Sequence, residues 1–429
     1  CPHTLEEEVY IMGNPPYLGS RRQTEEQKSD MACLFGKDYG ELDYISCWFL
    51  AGAYYIKDSK SKYAFVSTNS ICQGLQMSLL WKRIFSNQEE INFAYTSFKW
   101  SNNAKNNAAV TVIIVGVCNS NYTKNKIIFS GHQSKVVDNI SPLLIDAPTV
   151  FVESRTKPLL PDMPIMNFGN MPADGGKLIL SDEEKRELIR GNPKTEKLIK
   201  PLIGADDFIN GKQRWCIWLY GRNENEYMDI PEIKRRIEEL RVIREKSSRP
   251  QLASIPHLFA QITQPMEVPF ILIPRHSSEN REYIPIGYFN ETNIAHDSCL
   301  VLGTDDIWLF GILTSKIHMV WVKTVGGRLE TRYRYSAQLC YNTFPFPIIT
   351  DRQKNELQVL AQSVLDIRDQ HFDMTLGEMY NPETMPADLK TAHHLLDMAV
   401  ERCYRSDPFA SDEERLECLF KLYEKMTKK

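Results

Sequence analysis

Hydrophobic residues in the first third of the chain follow two alternating spacings. Short β-rich runs and helical patterns succeed one another at residues 9–13 (strand), 42–56 (helix), 63–67 (strand), 75–85 (helix), 91–95 (strand) and 109–117 (strand). Strands that alternate with helices predict an α/β fold with a mostly parallel sheet. Such sheets bind ligands beyond the carboxyl ends of their strands, so the residues that follow each run are candidates for a functional site.

The pattern changes twice further along the chain. Between 136 and 345 the apolar runs are short and broken by Pro, Gly and Asn, with one charged helix between Pro231 and Pro250. After Pro347 the apolar residues recur at helical spacing. We therefore expect three domains: an α/β domain at 1–135, an α+β domain at 136–345 and a small helical domain at 346–429.

Composition narrows the class of protein. A hydrophobic content of 42% with 10% aromatic residues is ordinary for a globular protein. No apolar run reaches the roughly 18 residues of a membrane span, and no signal-peptide pattern opens the chain. These features predict a cytoplasmic protein without a membrane partner. The ten cysteines are scattered without zinc-site spacing, so we predict no metal site.

Charge is unevenly distributed. The formal net charge is −4, and the three regions carry 14, 26 and 11 basic residues against 12, 27 and 16 acidic ones, which gives +2, −1 and −5. Affinity for DNA depends on local clusters that neutralise phosphates, so this balance excludes only a strongly basic, indiscriminate binder.

Candidate chemistry lies directly after the first apolar run, at Asn14-Pro15-Pro16-Tyr17. The amino group of a nucleobase is a poor nucleophile because its lone pair is delocalised into the ring. Two acceptors, the Asn14 side-chain oxygen and the Pro15 carbonyl, would draw the nitrogen toward tetrahedral geometry, and consecutive prolines would fix the carbonyl direction. Tyr17 would stack on the base. The alternative is a Pro-Pro turn that closes a strand, with Tyr17 in the core.

A family resemblance rests on four stretches around this motif: YIMGNPPYLGSRRQTEEQKSDM, LDYISCWFLAGAYYI, AFVSTNSICQG and FAYTSFKWSNNAKNNAAVTVIIVG. They resemble the catalytic domain of adenine-specific DNA methyltransferases, and most of all the MmeI-like single-chain restriction-modification enzymes. The resemblance continues through FVESRTKP, FGNMPADGGKLILSDEEK, FINGKQRWCIWL, IPRHSSENREYIPIG, LFGILTSKIHMVW, GRLETRYRYS and YNTFPFP. It implies the C-terminal part of a class I (Rossmann-like) methyltransferase sheet, an α+β target-recognition domain and a small helical C-terminal domain.

The resemblance also implies roles for individual residues. Asn14, Pro15, Pro16 and Tyr17 correspond to the catalytic motif called IV. Phe98 corresponds to the aromatic residue that packs on the opposite face of a flipped base, with Trp100 as a neighbouring candidate. The alternative for Phe98 is a core aromatic at a strand end. Three further residues would line the pocket floor or cap a strand end: Ser67, Thr68 and Asn69.

The methyl donor implied by the resemblance is S-adenosylmethionine. Its glycine-rich strand-to-helix turn normally precedes motif IV, and no G-x-G follows a strand in this sequence. We therefore expect that the chain begins just before motif IV, at Cys1, and that an upstream half of the same polypeptide carries most of the cofactor site. The cofactor pocket of this chain is then incomplete.

Sequence readout is predicted for the segment around Glu330. Arg pairs with the two major-groove acceptors of guanine and Glu accepts from cytosine, so Glu330 and Arg332 together could read one G·C pair of double-stranded DNA. Similar enzymes place a specificity pair two residues apart here. The alternative is a cross-strand ion pair on a solvated strand. Five residues are candidates for phosphate contacts: Arg275, Arg281, Lys323, Arg328 and Arg334.

Three other signals are weaker. The charged helix between Pro231 and Pro250 either follows the DNA backbone or is a solvated face with i,i+4 ion pairs. Asp162 with Glu183-x-Lys185 fits a loose nuclease pattern, but Ser181 predicts a helix N-cap there instead of a strand. His393-His394 lies in an apolar helical pattern without acidic or thiol partners, which favours a structural role.

Three functions follow from these observations. The first is site-specific methylation of adenine in DNA. The second is sequence recognition without turnover, because the cofactor half is absent from this chain. The third is methylation of protein glutamine, which uses the same tetrapeptide but leaves 136–345 unexplained.

Overall fold

The computed structural model describes residues 7–100, 110–122, 125–329 and 331–428. The chain divides into two compact units. The first unit comprises Cys1–Leu159, Val320–Pro345 and Phe409–Lys429, and the second comprises Leu160–Met319 and Phe346–Pro408. Both units are therefore assembled from segments that are distant along the chain.

A six-stranded sheet forms the centre of the first unit. Its strands are β1 (Tyr10–Gly13), β2 (Lys62–Thr68), β3 (Glu89–Trp100), β4 (Val110–Asn119), β5 (Lys126–Ser130) and β6 (Gln133–Val137), in the order β1-β2-β4-β3-β5-β6. The sequence prediction of a mostly parallel sheet is wrong: only β1–β2 and β3–β5 are parallel, and the other three pairs are antiparallel. No helix separates β3 from β4 or β5 from β6 among the described residues, and such direct connections produce antiparallel pairs.

Helices pack on this sheet through aromatic side chains. The helices are α1 (Glu25–Phe35), α2 (Ser46–Ile56) and α3 (Gly74–Phe85). Alternate residues of β2 are buried, and Phe49 of α2 contacts Tyr63 and Phe65 edge to face, with centroids 5.9 and 5.4 Å apart. Gly52 permits this close packing, because a Cβ there would lie 3.1 Å from the Tyr63 ring.

The second unit contains two four-stranded sheets, in the orders β14-β9-β10-β8 and β13-β11-β15-β7. The strands of residues 160–319 are β7 (Met166–Phe168), β8 (Ile179–Leu180), β9 (Ile199–Ile203), β10 (Arg214–Ile217), β11 (Phe270–Pro274), β12 (His276–Ser277), β13 (Gly287–Phe289), β14 (Ile294–Ala295) and β15 (Cys299–Gly303). The helices are α4 (Asp182–Gly191), α5 (Ala205–Asn210), α6 (Pro231–Glu245) and α7 (Ile307–Leu313). The charged helix predicted after Pro231 is α6, and α4 begins at a Ser181–Glu184 capping box, as the Ser181 signal predicted.

The remaining elements are mostly helical, as predicted for the C-terminal region. They are α8 (Lys316–Val325), β16 (Gly327–Leu329), β17 (Arg332–Arg334), α9 (Asp351–Gln370), α10 (Leu376–Met379), α11 (Ala387–Arg402) and α12 (Asp412–Thr427). Within the first unit, Trp321 of α8 packs against the rings of Phe420 and Tyr423 on α12, which ties the end of the chain to this unit. In the described ranges, no helix has the length and apolar character needed to cross a membrane.

Candidate functional site

The predicted site residues of the first unit meet at one edge of the sheet. Asn14 follows the last residue of β1, Thr68 ends β2, and Phe98 lies near the end of β3. Strand β1 is parallel to β2, and both β2 and β3 are antiparallel to β4, so all three strands end at the same side. We call this side the carboxyl edge. It is where α/β sheets place their ligands.

Thr68 and Phe98 lie in one row across three strands. Val112 of β4 is the register partner of Thr68 on one side and of Phe98 on the other. Register partners point to the same face of a sheet, and neighbouring strands are about 5 Å apart, so these two residues are separated by about 10 Å across Val112. From a neighbouring position, the Asn69 side-chain amide donates to Ser97 Oγ over 3.5 Å.

A β-bulge gives Phe98 its place in this row. Tyr95 pairs with Ile114, whereas Phe98 pairs with Val112, so β3 uses one residue more than β4 over this interval. The extra residue reverses the alternation of side chains beyond it, and bulges commonly redirect side chains beside active sites. Phe98 is half-buried there. The position of Phe98 in the same row as Thr68 and Val112 therefore depends on the bulge.

The tetrapeptide itself combines anchored and free groups. Pro15 is buried and Tyr17 packs partly against the sheet core, whereas Asn14 and Pro16 are exposed. Within the described part of the chain, no hydrogen bond engages the Asn14 side chain. Its amide oxygen is thus available as an acceptor, on a segment whose two prolines restrict the backbone.

The three predicted pocket residues do not share one face. Ser67 is completely buried, its hydroxyl donates to the Thr68 carbonyl over 2.9 Å, and strand alternation points it away from the face of Thr68. Thr68 and Asn69 are half-buried, with Thr68 Oγ1 lying 2.7 Å from Ser70 Oγ. Of the three, only Thr68 and Asn69 are partly accessible at the carboxyl edge.

Sequence reasoning missed the residues that hold the chain after Tyr17. The Leu18 amide donates to Asp43 Oδ1 over 2.8 Å. The Leu18 carbonyl accepts from the Tyr44 amide and from Gln23 Nε2, each at 3.0 Å. An aspartate three residues before the start of a helix is a recognisable local signal, but its contact with Leu18 spans 25 residues and has no local signature.

The β16–β17 hairpin belongs to the first unit and lies beside the carboxyl edge. Gly74, the first residue of α3, has a φ of +55°, and a Cβ there would lie 3.4 Å from the Gly327 Cα. The backbone conformation therefore favours glycine at this position, and the short distance shows that the hairpin packs directly against the start of α3. Because α3 begins six residues after the end of β2, this contact brings the predicted readout segment to the side of the sheet where Asn14 lies.

The hairpin separates its arginines by face. Arg332 and Arg334 are exposed on one face of β17, while Tyr333 is buried on the other. The Arg328 guanidinium lies 4.1 Å from the centroid of the Tyr333 ring and donates to the Thr331 carbonyl over 3.2 Å. Arg328 thus stabilises the hairpin, and Arg332 and Arg334 present charge to solvent. Glu330 lies outside the described residues.

The predicted phosphate contacts fall in both units. Lys323 of the first unit is half-buried on α8, and its carbonyl accepts from Arg328 over 3.4 Å. In the second unit, Arg275 stacks on the Phe168 ring at 4.8 Å and donates to the Asp297 carbonyl over 3.1 Å. Burial lowers the pKa of Arg281, whose guanidinium donates to Ser277 Oγ over 3.4 Å. The side chains of Arg275 and Arg281 thus have structural partners within the second unit.

Helix α6 uses much of its charge internally. Arg235 pairs with Glu232 and Glu239, and Arg236 reaches Glu184 of α4 over 3.0 Å. Arg244 is buried and donates to five backbone carbonyls. This arrangement favours the interpretation as an ion-paired helix.

The signals for other chemistry have structural explanations. Glu183 and Lys185 lie on α4 instead of on a strand beside Asp162, so the nuclease pattern lacks its geometry. His393 is completely buried, with Nε2 2.7 Å from the Tyr380 hydroxyl. A search of the described residues finds no group of three or more His, Cys, Asp or Glu side chains that could hold a metal ion.

Comparison with known protein families accounts for nearly the whole chain. Residues 1–130 match the family model described as the MmeI DNA-methyltransferase domain, 146–348 the MmeI target recognition domain, and 349–429 the MmeI C-terminal domain. The chain belongs to the MmeI family. The resemblance predicted from the motifs is thus confirmed, and so is the α/β fold class with its recognition and helical regions.

Two relatives extend the MmeI-family assignment. DNA methyltransferase A of Bacillus subtilis (strain 168) is 48% identical over 437 residues, which cover 100% of this chain and 49% of that protein. The structure of the Type IIL restriction-modification enzyme MmeI in complex with DNA superposes with a TM-score of 0.91 at 38% identity, covering 98% of this chain and 57% of that one. The chain thus spans about half the length of these MmeI-family relatives.

Proposed function

We propose that this chain supplies the base-binding and catalytic residues of a site-specific DNA adenine methyltransferase within a restriction-modification enzyme. One observation carries the proposal. Asn14 presents an unengaged amide oxygen at the carboxyl edge, next to two prolines and on the side of the sheet where Thr68 and Phe98 share a row. The MmeI-family match supports DNA as the substrate.

The proposed mechanism begins with an adenine that is flipped out of the duplex. Its amino group donates to Asn14 Oδ1 and to the Pro15 carbonyl, which concentrates the nitrogen lone pair for attack. Tyr17 stacks on one face of the base and Phe98 on the other. The methyl group would pass directly from sulfur to this nitrogen, without a covalent intermediate on the protein; S-adenosylhomocysteine would be the leaving group, and the amino group would lose one proton.

S-adenosylmethionine supplies an electrophilic methyl group when it is bound. The sequence contains no glycine-rich turn between a strand and a helix. We therefore assign no residue of this chain to the methyl donor. The residues of this chain alone fit DNA sequence recognition and base binding better than they fit methyl transfer. Recognition of DNA without catalysis is therefore the second candidate function.

Methylation of protein glutamine fits less well. That activity would use the same acceptors on an amide nitrogen, but it has no use for a target recognition domain of about 200 residues. Residues 146–348 favour DNA.

Replacement of Asn14 tests the activity. In the full-length protein, Asn14→Ala removes one of two acceptors that act only on the reacting nitrogen, so we expect methylation to fall by about 10²-fold or more. DNA binding should change by no more than about twofold, because the target recognition contacts are untouched. Methyl incorporation into a DNA library and fluorescence anisotropy measure the two quantities.

Asn121→Ala is the matched control, since Asn121 is exposed in the first unit away from the carboxyl edge. It should methylate like the wild type. Methylation by Asn14→Ala at the wild-type rate would refute the assignment of the tetrapeptide. A wild-type protein that modifies cytosine instead of adenine would refute the adenine specificity alone.

Base readout is proposed for the exposed face of the hairpin. Arg332 would contact guanine and Glu330 the paired cytosine, with Arg334 on a phosphate. Exchange of Glu330 and Arg332 for Lys and Asp should then change the preferred base pair at one position of the recognition sequence, as read by sequencing of modified DNA. Arg334→Ala should weaken binding uniformly and lower the salt dependence by about one counterion. An unchanged recognition sequence in the double variant would contradict the readout.

A further inference from the structure

Leu18, the residue after the catalytic tetrapeptide, has both backbone polar groups engaged by side chains from elsewhere in the chain. Its amide donates to Asp43 Oδ1 over 2.8 Å. Its carbonyl accepts from Gln23 Nε2 over 3.0 Å, as well as from the Tyr44 amide. Both side chains are nearly inaccessible, at 7% exposure for Asp43 and 6% for Gln23. Buried side-chain bonds to one backbone residue are a strong restraint on its position.

Asp43 is itself rigidly held. Its backbone amide donates to Gln76 Oε1 of α3 over 3.0 Å, and its carbonyl accepts from the Ser46 amide at the start of α2. Its Oδ1 also accepts from the Ile45 amide over 3.2 Å. Asp43 is thus fixed to two helices that pack on the sheet, and its carboxylate holds Leu18 in a defined position relative to them.

The tetrapeptide needs such an anchor at its far end. Its near end is fixed by the β1–β2 ladder, whose last pair is Gly13 with Phe65. Between them, Pro15 and Pro16 have no N–H group, so neither can hydrogen-bond the loop to the protein through a backbone amide. Asn14 is exposed and unengaged. Leu18 is therefore the first residue after the prolines with a side-chain-anchored backbone.

We infer that Asp43, assisted by Gln23, is a positioning residue that holds the Asn14–Tyr17 segment in the geometry required for attack by the adenine amino group. This inference rests on the proposed function. The alternative is that Asp43 only caps the start of α2 through the Ile45 amide. The two roles differ because only the first requires the bond to Leu18 for catalysis.

The chemistry of the Asp43 bonds predicts which substitutions preserve it. Burial raises the pKa of the Asp43 carboxyl, while the Ile45 and Leu18 amides act in the opposite direction. The Oδ1 atom of Asp43 accepts hydrogen bonds from two backbone amides, and the side-chain oxygen of an asparagine can also accept two. Asp43→Asn should therefore retain the restraint, whereas Asp43→Ala removes it.

The test uses the full-length protein and measures the single-turnover methylation rate at saturating DNA and S-adenosylmethionine. DNA affinity and the KM values are measured separately by varying the concentration of each ligand. A misplacement of about 1 Å in a catalytic group costs on the order of 10²-fold in rate, so we expect Asp43→Ala to lower the methylation rate by about 10- to 100-fold. The KM values for DNA and for S-adenosylmethionine should change by less than about threefold. Asp43→Asn should recover the rate to within about threefold of wild type.

Asp30→Ala is the matched control. Asp30 is exposed on α1 and accepts from the Tyr44 hydroxyl over 2.8 Å, and among the described residues it has no hydrogen bond to the tetrapeptide. Its rate should equal that of the wild type. If Asp43→Ala does not fold, Gln23→Leu decides, since it removes only the side-chain bonds to the Leu18 and Leu42 carbonyls; we expect a loss of about 3- to 10-fold.

The outcomes separate the inference from the proposed function. Wild-type rates in folded Asp43→Ala or in Gln23→Leu would overturn the positioning role, as would a loss confined to KM. Loss of rate in Asp43→Asn equal to that in Asp43→Ala would show that charge, not the restraint on Leu18, matters, and would also overturn it. If Asn14→Ala retains activity, the proposed function itself fails.

Discussion

Two polar clusters in this protein contrast in how their groups are satisfied. At the carboxyl edge of the first unit, Asn14 is exposed and its side chain unengaged. In the second unit, a buried network joins Arg368, Tyr380, His393, Tyr283 and Asp397 by hydrogen bonds, although the Nδ1 atom of His393 has no partner among the described residues. The comparison shows that exposure distinguishes Asn14, a group available for chemistry, from the buried groups that hold the fold.

The hydrogen bonds of the buried network have a definite direction. Arg368 Nε donates to the Tyr380 hydroxyl over 2.7 Å. Because arginine cannot accept a hydrogen bond, that hydroxyl donates its own hydrogen bond to His393 Nε2, 2.7 Å away. Burial, reinforced by Arg368, holds the pKa of His393 well below its ordinary value. His393 is thus a neutral acceptor, which confirms the structural role predicted for it.

The network also joins two regions that match different family models. Tyr283, within the target recognition domain, donates to Asp397 Oδ2 over 2.7 Å and stacks on His393 with ring centroids 4.2 Å apart. Arg368 donates to the Ile286 carbonyl over 2.6 Å. The C-terminal helices of the second unit therefore support the strands and loops that precede them.

Removal of Arg368 should produce the largest loss of stability. Arg368→Ala leaves a cavity and deprives the Tyr380 hydroxyl and the Ile286 carbonyl of their donor, so we expect the free energy of unfolding to fall by about 3 kcal/mol. Denaturant titration measures the change. Arg352→Ala, an exposed position on the same helix, should change stability by less than about 0.5 kcal/mol. If Arg368→Ala lowers the free energy of unfolding no more than Arg352→Ala does, the distinction between the two clusters fails.

Glu89 extends the comparison to a buried acid in the first unit. It lies at the amino end of β3, away from the carboxyl edge, and is 3% exposed; burial raises the pKa of its carboxyl from 4.5 to about 8. The folded state therefore binds a proton that the unfolded state has lost. Its contribution to stability is complete below pH 4.5 and disappears as the pH rises to about 8.

Glu89→Gln should remove this part of the pH dependence. We expect the wild type to lose about 3 kcal/mol of stability between about pH 5.5 and about pH 8.5 from this group, and the variant to be correspondingly flatter. Thermal unfolding at the two pH values measures the difference. Glu26→Gln, at an exposed position on α1, should keep the wild-type slope. Identical slopes for all three proteins would mean that Glu89 titrates normally.

Asn14 should show the smallest effect on stability despite its large effect on methylation. Because its side chain is exposed and unengaged, Asn14→Ala should change the free energy of unfolding by less than about 0.5 kcal/mol. The same denaturant titration applies. A loss comparable to that of Arg368→Ala would place Asn14 among the structural groups and contradict the comparison.

The meeting of the candidate site residues at one edge of the sheet was predictable because it depends on local patterns. The apolar run before Asn14 and the run that ends at Thr68 are strands, and they are parallel, so their ends meet. The start of α6 and the capping box at Ser181 could also be predicted, since proline and serine determine the conformation of the residues next to them.

The remaining features depend on pairings that no local pattern encodes. The bulge before Phe98 is visible only in the register of β3 against β4, and the face of Ser67 follows from the same ladder. The antiparallel pairs of the sheet are likewise visible only in the register of neighbouring strands. Asp43 meets Leu18 across 25 residues, through the folding of α2 against the sheet, so its role could not be inferred from its neighbours.

The two prolines of the tetrapeptide have a consequence for base selection. Their imide nitrogens cannot donate, so the backbone of Pro15 and Pro16 presents carbonyl oxygens alone to whatever lies beside it. Guanine and thymine carry oxygens where adenine and cytosine carry amino groups. Within the proposed mechanism, a flipped guanine or thymine would place its own oxygen against the Pro15 carbonyl oxygen, and the two would repel each other. The backbone alone would therefore reject two of the four bases, and side chains would have to distinguish only adenine from cytosine.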